Sequence, residues 1–192
     1  VFFGSSILIG RLDKSSKKER RNAIQVLANS ALATLMAILY GTTEELLFLA
    51  MYVASVGVSA ADTWASEVGK RSHSRPFHIF KFKRIDKGLS GAVSIRGIIA
   101  SLAAGFTFAL LASFRIESFI LVFLVGAFSF LGSIIDSMLG TIQVKYIHKI
   151  SQIITEEKSD LTEYHSGIKY LGNNGVNFLS NVFSLLVMSL II

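Results

Sequence analysis

The stretch Ser59-Ala60-Ala61-Asp62-Thr63-Trp64-Ala65-Ser66-Glu67-Val68-Gly69 decides the fold, because it joins an apolar run to a basic loop. Residues 46–58 before it are apolar enough to lie in lipid, and residues 70–96 after it are strongly basic. Ionisable side chains at a membrane boundary are costly to place, so a functional role is the default hypothesis for them. Asp62 and Glu67 are therefore the first candidate catalytic residues.

The composition is that of a membrane protein. Hydrophobic residues make up 52% of the 192 positions and charged residues 17%, which is more apolar than a typical soluble domain. A spanning helix needs about 20 mostly apolar residues. Five segments meet this approximately, and a partial one at residues 1–10 would be a sixth; the five are residues 22–40, 45–62, 97–114, 118–139 and 174–192. The sequence predicts an all-α, polytopic integral membrane helix bundle with five to six transmembrane helices.

The bundle is expected to form a single transmembrane domain over residues 1–192. Since Val1 opens inside an apolar run, we expect an upstream helix to be missing or truncated. The chain contains no cysteine, which excludes a thiolate nucleophile and a Cys-ligated zinc site.

The positive charges predict the topology. Alternation of the helices places the loops at residues 11–21, 70–96 and 140–172 on one side, with every Lys and Arg except Arg115. The positive-inside rule assigns that side to the cytoplasm, so we expect a multi-pass protein of the cell membrane with cytoplasmic loops. No aromatic residues interleave with the basic cluster at residues 14–21, so no nucleic-acid partner is expected.

Short connections and ordered loop segments can also be predicted. Tight connections are expected at residues 41–43 and 115–117. Residues 78–85 partly alternate, as a short strand would. The spacing of Val144, Ile147, Ile150 and Ile154 predicts a helix lying along the membrane surface.

The fourth apolar segment carries a polar face. Small and polar residues recur there at steps of three or four, which places them on one side of a helix: Gly126, Ser129, Gly132, Ser133, Asp136, Gly140 and Gln143. Close helix packing explains the small residues. It does not explain a buried carboxylate, so Asp136 is the third candidate catalytic residue.

Two further segments supply candidate phosphate ligands. Gln25 and Asn29 share a face of the first helix, either as ordinary interhelical hydrogen bonds or as part of a site. Asn173, Asn174 and Asn177 stand at the start of the fifth helix, where asparagine can cap exposed backbone N–H groups. The same helix end is a ready anion site.

The loop before the third helix is rich in glycine. In Lys87-Gly88-Leu89-Ser90-Gly91-Ala92-Val93-Ser94-Ile95-Arg96-Gly97, successive backbone N–H groups can cradle phosphate oxygens. Lys87 and Arg96 would supply positive charge, and Ser94 a hydroxyl group. The loop is not a Walker A motif.

All these candidates lie near the same ends of the helices, so they can meet in one cavity. Carboxylates beside amides and basic residues suit Mg²⁺ with phosphate ligands. We expect Asp62 and Asp136 to hold the metal ion, with Glu67 as a possible third ligand. The alternative is a structural ion pair in which Lys87 or Arg96 takes the place of the metal ion. In a continuous helix Asp62 and Glu67 would be about 140° apart, so Glu67 can join only if the helix ends or bends between them, or if the cavity wraps around the helix.

The motif at residues 62–69 resembles the signature of the membrane protein family that includes plant phytyl-phosphate kinase and animal transmembrane protein 19. Three other parts are similar to that family: Gln25-Val26-Leu27-Ala28-Asn29, Gly132-Ser133-Ile134-Ile135-Asp136-Ser137-Met138-Leu139-Gly140 with Gln143, and Asn173-Asn174-Gly175-Val176-Asn177-Phe178-Leu179-Ser180. Leu89 departs from the family's threonine, and the segment from Gly140 to Gln143 is one residue short.

The resemblance implies a membrane-embedded kinase that transfers a phosphoryl group from a nucleoside triphosphate, expected to be CTP, to an isoprenoid (phytyl or prenyl) monophosphate. Two alternatives stay open: a CTP-dependent cytidylyltransferase acting on a lipid phosphate, and a small-solute transporter. The expected partners are the isoprenoid lipid phosphate, the nucleotide and the bilayer, with a homo-oligomer as a further possibility.

Overall fold

The computed structural model describes residues 23–85 and 89–192. In this part of the chain five helices are long and apolar enough to cross a membrane, as predicted: α1 (Ala23–Thr43), α2 (Leu46–Lys70), α3 (Ile95–Ala112), α4 (Phe119–Gly140) and α5 (Asn173–Ile191). The predicted partial helix at residues 1–10, the loop at residues 11–21 and Lys87 lie outside the described residues.

The predicted helix bounds are correct to within three residues except at the end of α2. We expected the second segment to end at residue 62, whereas α2 continues to Lys70. Hydropathy falls at Asp62, but the residues that follow are compatible with a helix up to Gly69, and helix formation does not require an apolar side chain. The signature at residues 62–69 therefore lies on a helix rather than in a loop.

Helix α2 is the centre of the bundle, since it packs against each of the other four helices. Small residues make this close packing possible. Gly57 of α2 faces the side chain of Ser129 in α4, and Gly132 of α4 faces Val58 of α2. Ala54 and Ala61 are fully buried between the helices.

The connections sort onto two sides of the bundle. Residues 44–45 join α1 to α2 and residues 113–118 join α3 to α4, so alternation places both on one side. The predicted turn at residues 41–43 is wrong, because α1 runs through these residues and the chain turns at Glu44, where φ is 57°. A hydrogen bond with Tyr40 raises the pKa of Arg115 on this side. The opposite side, here called the loop side, carries residues 71–85, 89–94 and 141–172.

The loop side contains two small antiparallel sheets. One pairs β1 (Phe77–His78) with β2 (Ala92–Val93), so the strand predicted at residues 78–85 forms only at its start. The other contains β3 (Lys145–His148), β4 (Ile154–Thr155) and β5 (Thr162–Ser166) in the order β4-β3-β5.

The surface helix predicted through residues 144–154 is wrong. This segment forms β3, a tight turn and β4 instead, with Gln152 at a φ of 56° in the turn. Spacing of apolar residues over so short a segment does not distinguish a helix from a strand. Pairing with β5 provides hydrogen-bond partners for the backbone N–H and C=O groups of β3. The sequence of β3 alone does not show that this partner strand exists.

Candidate active site

Asp136 lies on the buried face of α4, near the loop side of the bundle. Asp136 is 9% exposed, and its carboxylate accepts a hydrogen bond of 3.0 Å from the hydroxyl of Ser180 in α5. The small residues of the predicted face, among them Gly126, Ser129 and Gly132, are buried as expected. Because these side chains are small, α5 comes close enough for a serine to reach the carboxylate.

The side-chain amide of Asn177 connects Asp136 to α1. An ionised carboxylate only accepts hydrogen bonds, so the nitrogen of the Asn177 amide is assigned to the side of Asp136, where it donates to Oδ2 at 3.0 Å. The other half of the amide then lies 3.0 Å from the side chain of Asn29. The structure thus brings together three predicted site residues from three helices.

Asp62 of α2 approaches the same place. The carboxylates of Asp62 and Asp136 are close enough to interact electrostatically, with Asp62 partly exposed and Asp136 buried. Like charges repel strongly where little water screens them. Two carboxylates from different helices are ligands of the kind that a hard cation prefers.

Glu67 does not complete a three-carboxylate site. Helix α2 is continuous through Asp62 and Glu67, so the two side chains project in different directions. Among residues 23–85 and 89–192, no three His, Asp or Glu side chains come together as a metal-binding group. The expectation that Glu67 joins the other two as a third carboxylate is therefore not met. Its predicted catalytic role stays a prediction.

The start of α3 lies beside the signature helix. Ser94, a predicted phosphate ligand, caps α3 by accepting a 3.0 Å hydrogen bond from the Gly97 N–H. A methyl group on Gly97 would lie 2.9 Å from the carbonyl oxygen of Ala65, so glycine permits the close approach of α3 to α2. Arg96 is exposed at this helix start.

Within residues 23–85 and 89–192, no side chain caps the backbone N–H groups at the start of α5. The helix begins after Gly172, and the capping role possible for the asparagines is not used. Asn173 is exposed and Asn174 partly exposed, while Asn177 points into the bundle. Uncapped N–H groups beside amide side chains are a suitable environment for an anion.

A carboxylate that sequence reasoning missed holds the glycine-rich loop. Glu156, just after β4, accepts hydrogen bonds from the Ser90 N–H (2.6 Å) and the Ser90 hydroxyl (2.9 Å). The buried amide of Gln143 donates to the same hydroxyl at 2.9 Å. Glu156 is separated by 66 residues from Ser90, so no local pattern reveals the contact. For Gln143, the sequence indicates only that it is the last polar position on the face of α4, not that it contacts Ser90.

Further polar groups line the interior below Asp136. Asn181 of α5 donates to the carbonyl oxygen of Ser55 at 3.3 Å and to the hydroxyl of Ser59 at 3.4 Å. Ser59 in turn donates to the carbonyl oxygen of Asn29 at 3.0 Å. The buried Oγ of Ser55 and Oδ1 of Asn181 have no hydrogen-bond partner among the described residues. A polar strip therefore extends from the loop side towards the middle of the membrane.

The chain matches a known family of integral membrane proteins. The family model described as "Integral membrane protein DUF92" matches residues 1–185. Protein PGR of Arabidopsis thaliana is 28% identical over 216 residues, covering 94% of this chain and 75% of that protein. An uncharacterized membrane protein of Methanocaldococcus jannaschii is 29% identical over 149 residues, covering 73% of this chain and 61% of that protein.

A shorter similarity extends to protein VTE6, chloroplastic, of Arabidopsis thaliana. The two are 32% identical over 95 residues, which is 47% of this chain and 28% of the plant protein. No solved structure matches the chain significantly.

Proposed function

This chain belongs to the DUF92 family of integral membrane proteins, and on that basis we propose that it is a kinase acting on an isoprenoid monophosphate at the loop side of the membrane. The reaction transfers the terminal phosphoryl group of a nucleoside triphosphate, with CTP as the proposed donor, to a phytyl or prenyl monophosphate. The single observation that carries the proposal is the approach of Asp62 to Asp136 within a cluster of amide and hydroxyl groups.

The donor set fits Mg²⁺. Asp62 and Asp136 would hold the ion, while bound phosphate groups and water would complete its shell, since Mg²⁺ in such sites usually keeps only one or two carboxylates. When bound, Mg²⁺ would neutralise charge on the transferred phosphoryl group. Ser180 and Asn177 fix the carboxylate of Asp136 by donating to it, which orients it before any ligand arrives.

The remaining groups are suited to the phosphates. The uncapped N–H groups at the start of α5, together with Asn173 and Asn174, would bind one phosphate group. Asn29 would help to orient this phosphate group indirectly, through its contact with the side chain of Asn177. Arg96 and Lys87 would neutralise the charge of the nucleotide. Ser94 is engaged as the α3 cap, so it would contribute by fixing that helix end. Glu67, which follows Asp62 by about 1.4 turns of α2, is proposed to face the incoming nucleotide.

The relation to VTE6 supports a phytyl-phosphate kinase, in agreement with the resemblance at residues 62–69. An isoprenoid chain partitions into the bilayer, because the transfer of each CH₂ group from water to an apolar environment is favourable by about 0.8 kcal/mol. A lipid phosphate would enter sideways from the bilayer, and the nucleotide would arrive from the proposed cytoplasmic side.

The test is product analysis. Purified protein in nanodiscs is incubated with Mg²⁺, CTP and phytyl or geranylgeranyl monophosphate, and the lipid products are identified by mass spectrometry. The proposal expects the isoprenoid diphosphate together with CDP, and an Asp136→Asn variant provides the background. A nucleotide-linked lipid with release of diphosphate would identify a cytidylyltransferase. Solute uptake by proteoliposomes without nucleotide consumption would identify a transporter. Either result rules out the kinase.

A further inference from the structure

A hairpin on the loop side exposes two aromatic side chains. Residues 77–84, here called the aromatic hairpin, are closed by backbone hydrogen bonds from the His78 N–H to the Lys83 oxygen (2.8 Å) and from the Phe82 N–H to the His78 oxygen (2.9 Å). Phe80 is 53% exposed and Phe82 is 78% exposed. Large apolar side chains at the tip of a tight turn do not stabilise the fold by burial, so they require another explanation.

The backbone at Phe82 strengthens this point. Its φ is +51°, in the left-handed region that bulky residues rarely adopt. Glycine or asparagine would adopt this conformation at lower cost. The Phe82 ring stacks on that of Phe77, with centroids 6.3 Å apart, yet Phe82 stays mostly exposed, so this contact leaves most of the ring available to a partner outside the described structure.

The hairpin is attached directly to the membrane entrance of α3. Its strand β1 pairs with β2, which ends next to Ser94, the cap of α3. Ile95 in the first turn of α3 is 68% exposed, as a lipid-facing residue would be. The tip is only a few residues from β1, at about 3.3 Å per residue, so it lies within roughly 15 Å of the start of a transmembrane helix. The headgroup region adds about 5–8 Å on each side of the hydrocarbon core, so the tip is near enough to the helix start to reach it.

The charged residues of the aromatic hairpin itself are all basic, and the first acidic residue after it in the sequence is Asp86. Every Lys, Arg, Asp or Glu residue from position 70 to position 85 is a lysine or an arginine. Lys81, Lys83 and Arg84 are exposed beside the two rings, and no acidic partner for them is found among residues 23–85 and 89–192. Aromatic rings with flanking cations are typical of segments that bind the interface of an anionic leaflet.

We propose that the aromatic hairpin inserts Phe80 and Phe82 into the headgroup region of the leaflet on the loop side, where Lys81, Lys83 and Arg84 bind anionic lipid. A second copy of the chain is a poorer occupant, because pairing two such hairpins would place like charges together. The hairpin leads through β2 into α3 and the glycine-rich loop, so lipid binding would fix the outer edge of the candidate active site. The inference does not depend on the proposed reaction.

The test uses tryptophan fluorescence, since the chain has a single tryptophan. In a Trp64→Phe background, Phe82→Trp and, separately, Phe80→Trp are reconstituted into vesicles that contain brominated lipids, with or without anionic lipid. Lys158→Trp, on the exposed turn between β4 and β5, is the matched control. Circular dichroism checks that each variant is folded. Two hairpin variants are used so that the test can still be made if one of them does not fold.

The expected result is quenching of both hairpin tryptophans by at least about half, stronger when anionic lipid is present, with little quenching of the control. Replacing Lys81, Lys83 and Arg84 by Gln should remove the dependence on anionic lipid. Hairpin tryptophans that are quenched by aqueous iodide but not by brominated lipid would overturn the proposal. A spectrum that changes with protein density but not with lipid composition would assign the surface to a second copy and would overturn it equally.

Discussion

The hydroxyl of Ser180 in α5 donates a hydrogen bond of 3.0 Å to the carboxylate of Asp136 in α4. Both side chains are buried, and Asn177, one turn before Ser180, approaches the same carboxylate. Helix α5 therefore presents two donors to a charge that few waters can reach. This arrangement stabilises the carboxylate in the membrane interior, where the Asp62 carboxylate is close enough to interact with it electrostatically.

Ser180→Ala should destabilise the bundle, because it removes a donor to a buried carboxylate. We expect a loss of about 1–2 kcal/mol in the free energy of unfolding. The matched control is Ser189→Ala, since Ser189 is exposed and bonds only to its own helix at the Leu186 oxygen. Thermal melts in detergent give the comparison. Equal melting temperatures for the two variants would show that the contact to Asp136 contributes nothing to stability.

Gly57→Ala should destabilise the protein through steric overlap. A methyl group at Gly57 would collide with the side chain of Ser129 in α4, and overpacking of this kind typically costs about 1–3 kcal/mol. Gly41→Ala is the control, because nothing lies within 4 Å of that position in α1, and alanine favours a helix by up to about 1 kcal/mol. The two variants should shift the melting temperature in opposite directions. A neutral Gly57→Ala variant would contradict the α2–α4 packing.

Glu156→Gln should loosen the glycine-rich loop. The carboxylate holds both the N–H and the hydroxyl of Ser90, and a neutral amide is a weaker acceptor. Hydrogen exchange at the Ser90 amide should accelerate at least about threefold, which corresponds to roughly 0.7 kcal/mol. Glu157→Gln serves as the control, since Glu157 is exposed and its side chain does not hold this loop. An unchanged exchange rate of the Ser90 amide in Glu156→Gln would show that Glu156 does not hold the glycine-rich loop.

The helices were predictable because the sequence contains each of them locally as an apolar run. The polar face of α4 was predictable for the same reason, and it led directly to Asp136. The end of α2 was misplaced because hydropathy marks where lipid contact ceases rather than where a helix ends.

Contacts between distant segments could not be predicted in this way. Residues 144–154 form strands because β5 pairs with β3, and Glu156 matters because Ser90 lies beside it. The sequence predicts that Glu67 turns away from Asp62 if the helix is continuous, but the continuity of α2 through both residues has to be read from the structure. The meeting of Asn29, Asn177 and Asp136 was expected from their shared depth, but the partner of each amide was not.

Topology can be tested with single cysteines, since the chain has none of its own. Ser74→Cys and Ser159→Cys should both react with a membrane-impermeant maleimide only from the cytoplasmic face, and a cysteine on the other side should react only from outside. Ile116 is buried, so the outer position is better placed at the exposed Phe114. Labelling of Ser74→Cys and Ser159→Cys from different faces would contradict the helix assignment.

The central claim is that Asp62 and Asp136 bind Mg²⁺ with a nucleotide, and thermal melting tests it most directly. A ligand at about 100 times its dissociation constant stabilises the native state by about 2.7 kcal/mol, or roughly 5–10 °C for a chain of this size. Wild-type protein should show a shift of this size with millimolar Mg²⁺ and CTP. Asp62→Asn and Asp136→Asn should stay folded and lose the shift. A wild-type melting temperature that is indifferent to Mg²⁺, with and without nucleotide, would contradict the account.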